Sequence, residues 1–354
     1  MEQISLIRRT LQPHLGWHGA RLSFLALFLV ALFRVKTVNF SELAVGFMGK
    51  AQSASHYKRL QRFFRGFELD YYAIARLVAG MMDIPQPWVL SIDRTNWEFG
   101  GCVFNILMLG VVHEGVAFPL LWVMLNKKGN SNQGERIDLL DDFLTVFPDV
   151  EVGYVTGDRE FLGHLWIDYL NHTRRLPLRI RVRHSEQFYD GQRQLKASVL
   201  FSHLPPGQHM VLKNRRRIWG HWLYVAALRL DDGELLVVVT DTQPQRAIAD
   251  YAHRWGIETL FGCLKTRGFC LESTHLQDPE RLSRMVALLS IALCWAVRVG
   301  EWISQRQPIP IKKHGRKARS LFRVGFDHLR RVLINLTIDS NGDFTDVLRF
   351  LSCT

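Results

Sequence analysis

Cysteine is scarce in this sequence, and its pattern excludes several kinds of site. The chain has 354 residues and five cysteines, and none of them forms a C-x-x-C pair. They are Cys102, Cys263, Cys270, Cys294 and Cys353. An odd number of scattered cysteines argues against a disulfide framework or a structural zinc site and favours a reducing cytosol. We therefore expect a cytoplasmic protein.

Hydrophobic runs long enough to cross a membrane are also missing. The two most apolar stretches, residues 22–33 and 285–297, have about a dozen residues each, short of the roughly 20 that span a bilayer. The first residues, MEQISLIRRT, lack the hydrophobic core of a signal peptide. We predict that both stretches form buried helices, and a membrane protein ranks last among the alternatives.

Several common ligand-binding motifs are absent as well. The sequence has no P-loop, no G-x-G-x-x-G after a predicted strand and no H-E-x-x-H. Its 14 histidines are dispersed, without metal-ligand spacing. These absences disfavour P-loop nucleotide hydrolysis, dinucleotide-dependent oxidation and the zinc-protease mechanism.

What the sequence does contain is an excess of positive charge. It has 45 Lys and Arg residues against 33 Asp and Glu, which gives a net charge of +12. With 47% hydrophobic and 22% charged residues, the composition is otherwise typical of a globular protein. Lys and Arg that neutralise phosphates release condensed counterions, so a polyanionic partner is favoured. Net charge alone does not separate nucleic acid from an acidic membrane, or either from simple solubility.

Residues 1–84 predict a helical and basic N-terminal region. Asn39 or Ser41 is a suitable N-cap for a helix over SELAVGFMGK, and Ser55 for a helix over HYKRLQRFFRG. The second helix carries the basic residues Lys58, Arg59, Arg62 and Arg65. Two short helices joined by a tight turn are typical of a DNA-binding helix-turn-helix. A plain helical hairpin with a solvated basic face explains the pattern equally well.

The next region, residues 85–183, alternates between strand and helix patterns. Three consecutive strands are predicted over WVLSID, CVFNILMLGVV and GVAFPLLWVML. A helix over GERIDLLDDFLTVF, a strand over VGYVTGD, a helix around residues 160–170 and a strand over LPLRIRVR follow. This order is typical of a ribonuclease-H-like α/β core, a mixed sheet flanked by helices.

The remainder of the chain divides into three further regions. β-prone runs between residues 184 and 241 (ASVLF, HMVLK, WLYVAALRL and ELLVVVT) predict a β-strand insertion. Residues 242–275 complete the core with a helix from Pro244, and residues 276–354 form a helical C-terminal region. In that last region we expect a long amphipathic helix from Pro279, a basic linker at 311–320 and a final helix at 321–336.

Two aspartates close apolar strands in this arrangement. Asp93 ends WVLSID and Asp158 ends VGYVTGD. The carboxyl ends of strands are where α/β folds often place functional groups. For either residue alone, capping of the following helix is the better explanation. Two of them, each expected near the centre of the sheet, favour a shared site.

A third acid, Glu258, lies in the segment YAHRWGIETLFGCLK. On one continuous helix, Tyr251, Arg254, Glu258 and Lys265 would share roughly a 60° arc. An acid flanked by two cations and a tyrosine suits a site that holds metal and phosphate. An Arg254–Glu258 surface salt bridge is the simpler alternative. Gly256 and Gly262 weaken such a helix, which indicates close approach of DNA or a neighbouring strand.

Three carboxylates suit two-metal phosphoryl transfer. Two Mg²⁺ ions would activate the attacking oxygen and stabilise the leaving oxygen. Carboxylate oxygens are suitable ligands for Mg²⁺, and Mn²⁺ is the expected substitute. Asp93, Asp158 and Glu258 are therefore the predicted catalytic and metal-binding residues.

These motifs resemble those of the DDE transposases of the insertion-sequence-4 family. The family pattern Y-x₂-R-x₃-E-x₆-K is matched by Tyr251, Arg254, Glu258 and Lys265. The D-x-T and G-D-[RS]-x-[FY] patterns are matched by Asp93, Arg94 and Thr95, and by Gly157, Asp158, Arg159 and Phe161. The N-terminal YKRLQRFF also resembles the N-terminal domain of that family, so the resemblance extends from about residue 39 to residue 270.

The resemblance implies cut-and-paste transposition by a nucleoid-associated protein. Its partner would be double-stranded DNA, both the terminal inverted repeats of the element and the target DNA. The protein would assemble on this DNA as a homodimer. It implies that Tyr251, Arg254, Lys265 and Arg159 contact DNA at the catalytic site. In relatives, a flipped base of a hairpin intermediate stacks on a Trp of the insertion, and the local candidates are Trp219 and Trp222. For at least one of these two, packing in the insertion's own core is the favoured role.

Some parts of this interpretation have alternatives. Trp255 lies beside the motif face, where it could stack on a base or pack in the core. A DNA-binding derivative that does not cleave, or a stand-alone nuclease of the same fold, would share much of the sequence pattern. The intact set of three acids favours a cleaving enzyme, and the basic N-terminal region and the insertion favour a transposase.

Overall fold

The computed structural model describes residues 2–313, 315, 317–335 and 341–353. Its α-helices are α1 Glu2–Leu11, α2 Gly19–Val35, α3 Phe40–Gly46, α4 Ser53–Gly66, α5 Tyr71–Met82, α6 Gln133–Val146, α7 His164–Asp168, α8 Ala197–Leu200, α9 Ala247–Ala252, α10 Trp255–Leu264, α11 Pro279–Arg306, α12 Leu321–Ile334 and α13 Asn341–Leu348. Its strands are β1 Trp88–Phe99, β2 Cys102–His113, β3 Val116–Met124, β4 Val152–Gly157, β5 Leu178–Val182, β6 Gln187–Tyr189, β7 Gln194–Lys196, β8 His209–Val211, β9 Arg216–Ile218, β10 His221–Arg229 and β11 Leu235–Thr240.

The strands form one mixed sheet in the order β3-β2-β1-β4-β5-β11-β10-β9-β6-β7, with β8 also paired to β10. Strands β1, β2 and β3 are antiparallel, whereas β4 lies parallel to β1 and β5 parallel to β4. This order and direction confirm the predicted ribonuclease-H-like α/β core flanked by helices. The insertion continues the same sheet, because β11 pairs with β5.

Two local predictions about strands are wrong. The run ASVLF forms the short helix α8, not a strand. Periodicity cannot separate helix from strand in so short an apolar run. Strand β1 does not end at Asp93, because its hairpin with β2 continues to the pair Phe99–Cys102. The second half of this strand, DRTNWEF, is largely polar, so the sequence pattern did not indicate that the strand continues there.

The N-terminal helices confirm the predicted helical character of that region. Asn39 caps α3 by accepting hydrogen bonds from the backbone N–H groups of Ser41 and Glu42. The prediction that Ser55 caps the next helix is wrong. Helix α4 begins at Ser53, after Gln52, which makes no side-chain capping bond.

The two apolar stretches form buried helices, as predicted. Residues 24–33 of α2 and 285–297 of α11 are all buried. Helix α11 has the length and composition to cross a membrane, but 83% of its apolar window is buried inside the protein. The ring of Phe33 in α2 packs on Trp295 and Phe326, with ring centroids 5.4 Å and 5.3 Å away. Helices of the first and last predicted regions therefore share one hydrophobic core.

The C-terminal part begins and ends close to the predicted positions. Asp278 caps α11 at its N-terminus, immediately before Pro279. Helix α12 covers Leu321–Ile334, and residue 336 of the predicted final helix lies outside the described residues, as do residues 314 and 316 of the basic linker. The proposed boundaries at 84, 183, 241 and 275 stay a prediction.

Candidate active site

The register of the parallel strands places two acids side by side. The last parallel pair between β1 and β4 is Ile92 with Gly157. Asp93 follows Ile92 and Asp158 follows Gly157, so the two acids lie side by side just beyond the last parallel pair. Asp93 lies within β1 because that strand still pairs with β2 beyond this point.

Asp93 is largely buried, with its side chain 14% exposed, and is bonded on both carboxylate oxygens. Its Oδ1 accepts from the backbone N–H of Arg94 at 2.7 Å, and its Oδ2 accepts from Nη1 of Arg254 at 2.7 Å. Burial raises the pKa of Asp93 to about 6, although the Arg254 guanidinium opposes the shift. Desolvation of the charged form therefore outweighs the ion pair.

Arg254 joins the first acid to the third. Its guanidinium also donates to Oε1 of Glu258 while the side chain is only 8% exposed. Burial acts to lower the pKa of Arg254, but Tyr251, Asp93, Asp158 and Glu258 together raise it. The guanidinium is thus fully charged and lies between Asp93 and Glu258.

The second acid, Asp158, is contacted by Tyr251, which lies three residues before Arg254. The hydroxyl of Tyr251 donates to Oδ1 of Asp158 at 3.4 Å, and Nη1 of Arg181 lies 3.9 Å from the same oxygen. Burial raises the pKa of Tyr251 to about 12, so its hydroxyl keeps its proton at neutral pH. Through Tyr251 and Arg254, one stretch of chain contacts Asp93, Asp158 and Glu258.

The expectation of one continuous helix through this stretch is wrong. Residues 253–254 form a turn between α9 and α10. In a continuous α-helix the carbonyl of Asp250 would accept from the N–H of Arg254. Instead the Tyr154 hydroxyl donates to that carbonyl at 3.0 Å, and the Arg254 N–H bonds to the carbonyl of Tyr251 at 3.0 Å. The motif side chains converge through a bent backbone and not along a single helix face.

Lys265 lies apart from the acids. It forms the C-cap of α10, and its Nζ donates to the carbonyl of Asn96 at 3.0 Å. The same Nζ is 3.0 Å from Oε1 of Glu272 and 4.9 Å from the ring centroid of Trp97. Lys265 therefore lies along the second half of β1, beyond Asp93.

The two glycines of α10 have different neighbours. A Cβ on Gly256 would come within 2.8 Å of Cγ1 of Val112 and 3.2 Å of the backbone nitrogen of Ala117. A Cβ on Gly262 would meet the side chain of Arg267, at 3.0 Å. Gly256 thus lets α10 lie directly on β2 and β3, which is the close approach to a strand that the sequence indicated.

Arg94 holds a polar network beside the acids that sequence reasoning missed. Its guanidinium donates to both carboxylate oxygens of Glu160, at 3.2 and 3.1 Å, and to Asn105 and Asn130 at 3.0 and 3.1 Å. Asn105 is 2% exposed and donates to the carbonyls of Lys127 and Gly129. The signal in the sequence was a polar Asn within the apolar run CVFNILMLGVV.

A buried ion pair positions α9 and was also missed. Nε of Arg179 lies 3.1 Å from Oδ2 of Asp250, with the two side chains 2% and 4% exposed. Nη1 of Arg179 also donates to the hydroxyl of Thr240 at 2.6 Å. The pair fastens α9, which carries Tyr251, to the edge between β5 and β11. An Arg within the apolar run LPLRIRVR was the available signal.

The remaining predicted DNA-contacting residues of the catalytic region and insertion differ in exposure. Trp255 is 62% exposed and Trp222 is 47% exposed, so both rings have faces available to a partner. Trp219 is half-buried and packs against the hydrophobic core. Arg159 is exposed, and its backbone N–H donates to Oδ1 of Asp158 at 2.7 Å.

The basic residues of α4 are not equivalent. Lys58 and Arg62 are exposed. Arg59 is half-buried, with its guanidinium carbon 5.8 Å from the ring centroid of Phe24 and a 3.5 Å hydrogen bond to the carbonyl of Ala20. Arg59 therefore packs α4 onto α2, whereas the side chains of Lys58 and Arg62 are exposed to a possible ligand.

The conclusion that the histidines lack metal-ligand spacing stays a prediction, although the fold brings two of them together with an acid. Asp168 ends α7, His172 lies four residues later in the turn that follows, and the fold brings His221 of β10 to them. The four-residue spacing was visible in the sequence, but the third residue comes from a distant strand.

The donor chemistry of the three acids suits a divalent cation. Asp93 and Glu258 already share one cationic group, and Asp158 lies beside Asp93 at the end of the parallel ladder. Hard carboxylate oxygens are the preferred ligands of Mg²⁺ and Mn²⁺. The residues present therefore fit such an ion.

One known family matches more than half of the chain. The family described as “Transposase DDE domain” matches residues 85–295, which include all three acids. Among solved structures, the piggyBac transposase synaptic complex with hairpin DNA has 12% identity and a TM-score of 0.44, covering 99% of this chain and 83% of that chain. Endonuclease V from Bacillus subtilis has 12% identity and a TM-score of 0.27, covering 68% of this chain and 92% of that chain. No curated protein matches. Because both TM-scores are low, the assignment to a family rests on the family match alone.

Proposed function

Since the chain belongs to the transposase DDE domain family, we propose that this transposase performs cut-and-paste transposition and belongs to the insertion-sequence-4 group. The D-R-T, G-D-R-E-F and Y-x₂-R-x₃-E-x₆-K matches support that group. The proposed reaction is hydrolytic nicking of double-stranded DNA at the element ends, followed by strand transfer by the freed 3′-hydroxyl.

One observation carries the catalytic part of the proposal. Asp93 and Glu258 both accept hydrogen bonds from the guanidinium of Arg254, and Asp158 leaves the sheet at the same level as Asp93. Three carboxylates from distant parts of the chain thus converge around one position. Structural ion pairs do not require a third acid at that position, whereas phosphoryl transfer with divalent ions does.

Asp93, Asp158 and Glu258 would hold the metal, two Mg²⁺ ions with Mn²⁺ as a substitute. Bound there, the ions would activate the attacking oxygen and stabilise the leaving oxygen at the scissile phosphate. Burial raises the pKa of Asp93 to about 6, so this residue would set a lower pH limit for metal binding.

The other motif residues would bind and orient the DNA. Arg254 has a planar fork that matches two phosphate oxygens, and Lys265 supplies a point charge farther along β1. The Tyr251 hydroxyl, protonated at neutral pH, would donate either to Asp158 or to a phosphate oxygen. Arg159 is exposed next to Asp158 and would contact the same strand of DNA.

More distant DNA contacts follow from the exposed cations and rings. Lys58 and Arg62 of α4 would bind phosphates of the terminal inverted repeats, with the target DNA bound separately. Trp222 and Trp255 offer exposed rings for stacking on a flipped base, and Trp222 lies in the insertion. Pairing of two element ends requires a homodimer on DNA, and the expected location is the cytoplasm, on the nucleoid.

The test uses purified full-length protein with Mg²⁺ and DNA that carries the element's own ends. Double-strand excision, with or without a hairpin, supports cut-and-paste transposition. Cleavage without any preference for the ends would identify a stand-alone nuclease. Specific binding to the ends without cleavage, in Mg²⁺ and in Mn²⁺, would identify a DNA-binding derivative and overturn the catalytic proposal.

A further inference from the structure

We propose that Asp168, His172 and His221 bind one transition-metal ion of the zinc class, at the junction between the catalytic core and the insertion. One ligand atom from each of these side chains lies within 4.8 Å of the other two. None of the three belongs to the acids of the catalytic site. The proposed ion would be separate from the Mg²⁺ ions and would have a structural role.

Two of the ligands come from one helical turn. Nδ1 of His172 is 2.9 Å from Oδ1 of Asp168, four residues earlier. His172 stands in the π-helical turn Tyr169–Thr173, which continues α7. Such turns are rare in proteins, and many of those that occur lie at functional sites. Tetrahedral zinc with bonds of about 2.0–2.1 Å places its ligand atoms roughly 3.3 Å apart. The side chains of His172 and Asp168 are 66% and 47% exposed, so they can make the small adjustment needed.

The third ligand is already oriented by a backbone carbonyl. Nε2 of His221 lies 3.2 Å from the carbonyl oxygen of His164 and 3.0 Å from Nδ1 of the same residue. In the tautomer that carries its proton on Nε2, His221 donates to that carbonyl and keeps the lone pair of Nδ1 available to a metal. Metal-binding histidines commonly donate their other ring N–H to a carbonyl in this way. His164 in turn lies against the insertion, because its Nδ1 is 2.9 Å from the carbonyl oxygen of Trp219.

The ligand set selects the class of metal. Two imidazoles with one carboxylate suit zinc and similar ions, whereas Mg²⁺ prefers oxygen ligands throughout. Three protein ligands leave a fourth position, and His172 and His221 both line a cavity of about 410 Å³. Arg215 and Trp222 of the insertion line the same cavity. A bound ion would tie α7 to β10 and fix the position of the neighbouring Trp222.

The test measures zinc binding by the full-length protein after removal of metals with a chelator. Zn²⁺ is titrated in competition with a chromophoric chelator, and Co²⁺ absorption reports the coordination geometry. We expect one site per chain, and a loss of affinity of at least about tenfold in His172→Ala. His172 is exposed, so this variant should fold, and circular dichroism checks that it does. His221→Ala should lose the site as well.

Two controls make the result specific. His203→Ala removes an exposed histidine of the insertion and should bind zinc as the wild type does. Asp93→Asn should also keep the site, and zinc should raise the melting temperature of both controls but not of His172→Ala. Equal zinc affinity in His172→Ala and the wild type, or loss of zinc only in Asp93→Asn, would overturn the proposal. Absence of measurable binding by the wild type would do the same and would leave the transposase proposal untouched.

Discussion

Nη1 of Arg254 donates a hydrogen bond to Oδ2 of Asp93 at 2.7 Å, between residues 161 positions apart in the chain. The same guanidinium also donates to Glu258 of α10. One buried cation therefore offsets the charge of two acids that would otherwise repel each other. This relationship links β1 to the N-terminal end of α10.

The first prediction concerns the three acids. Asp93→Asn, Asp158→Asn and Glu258→Gln should each reduce DNA cleavage by at least about 10³-fold, because groups that act as a unit fail together when one is lost. Binding of DNA should stay within a few-fold of wild type, since the amides keep the shape of the side chains. Cleavage assays and gel-shift titrations measure the two effects separately.

A matched control for the acids is Glu98→Gln. Glu98 lies on the same strand as Asp93, but it is exposed and pairs with the exposed Lys128. This variant should cleave at the wild-type rate. Full cleavage by any of the three acid variants would remove that residue from the site.

The second prediction is a pH limit set by Asp93. Its pKa is raised from the ordinary 3.8 to about 6, so below pH 6 the carboxyl is protonated and cannot bind a cation. Cleavage should rise about tenfold per pH unit up to pH 6 and then level off. Protons and metal compete for the same oxygens, so more Mn²⁺ should shift this limb to lower pH. A midpoint near pH 4, or a limb that does not respond to Mn²⁺, would contradict the assignment.

The same shift has a consequence for stability. Because the folded-state pKa of Asp93 is raised, its contribution to stability is fully present below about pH 4 and is lost as the pH rises through about 6. In metal-free protein, the wild type should therefore lose unfolding free energy relative to Asp93→Asn as the pH rises from about 4 to above 6. Urea unfolding at pH 4 and pH 7 measures it.

The sequence predicted the core, and the places of Asp93 and Asp158 beside the parallel strands, because both depend on local patterns. Strand order follows from the alternation of apolar runs, and Asp93 and Asp158 each follow such a run. The break between α9 and α10 could not be predicted in this way. It depends on the hydroxyl of Tyr154, 96 residues from the Asp250 carbonyl that it bonds. The grouping of His221 with His172 likewise depends on the path of a distant strand.

The third prediction compares the two glycines of α10. Gly256→Ala should destabilise the protein by about 1–3 kcal/mol, because the backbone of Ala117 and the side chain of Val112 leave no room for a methyl group. Gly262→Ala meets the flexible Arg267 side chain and should be neutral or stabilising by up to about 1 kcal/mol. Thermal unfolding distinguishes the two. Equal effects would mean that helix propensity, and not contact with the sheet, governs both positions.

The fourth prediction concerns the basic face of α4. Lys58→Ala with Arg62→Ala should weaken DNA binding and reduce the slope of log K against log salt by about 2, roughly one unit for each phosphate that is no longer neutralised. Lys312→Ala with Lys313→Ala removes the same charge from another exposed site. An equal weakening in this control would show that net charge, and not α4, determines binding.

Arg59 serves as an internal comparison on the same helix. Because its guanidinium lies over Phe24, Arg59→Ala should lower the melting temperature, which the Lys58 and Arg62 changes should not do. A basic pattern in the sequence could not separate these three residues. Their different roles depend on which side of α4 faces α2.

The last prediction concerns the ion pair that holds α9. Arg179→Met should destabilise the protein by about 3–5 kcal/mol, because it leaves the carboxylate of Asp250 buried without its main partner. Combining it with Asp250→Leu should restore part of that stability, since no unpaired charge remains.

Arg323→Met breaks an exposed pair with Asp327 and should cost at most about 1 kcal/mol. Urea unfolding of these variants and the wild type measures the differences, and a small effect of Arg179→Met would mean that α9 is held by other contacts. Because α9 carries Tyr251, the single variant should also cleave DNA more slowly at temperatures where it is fully folded.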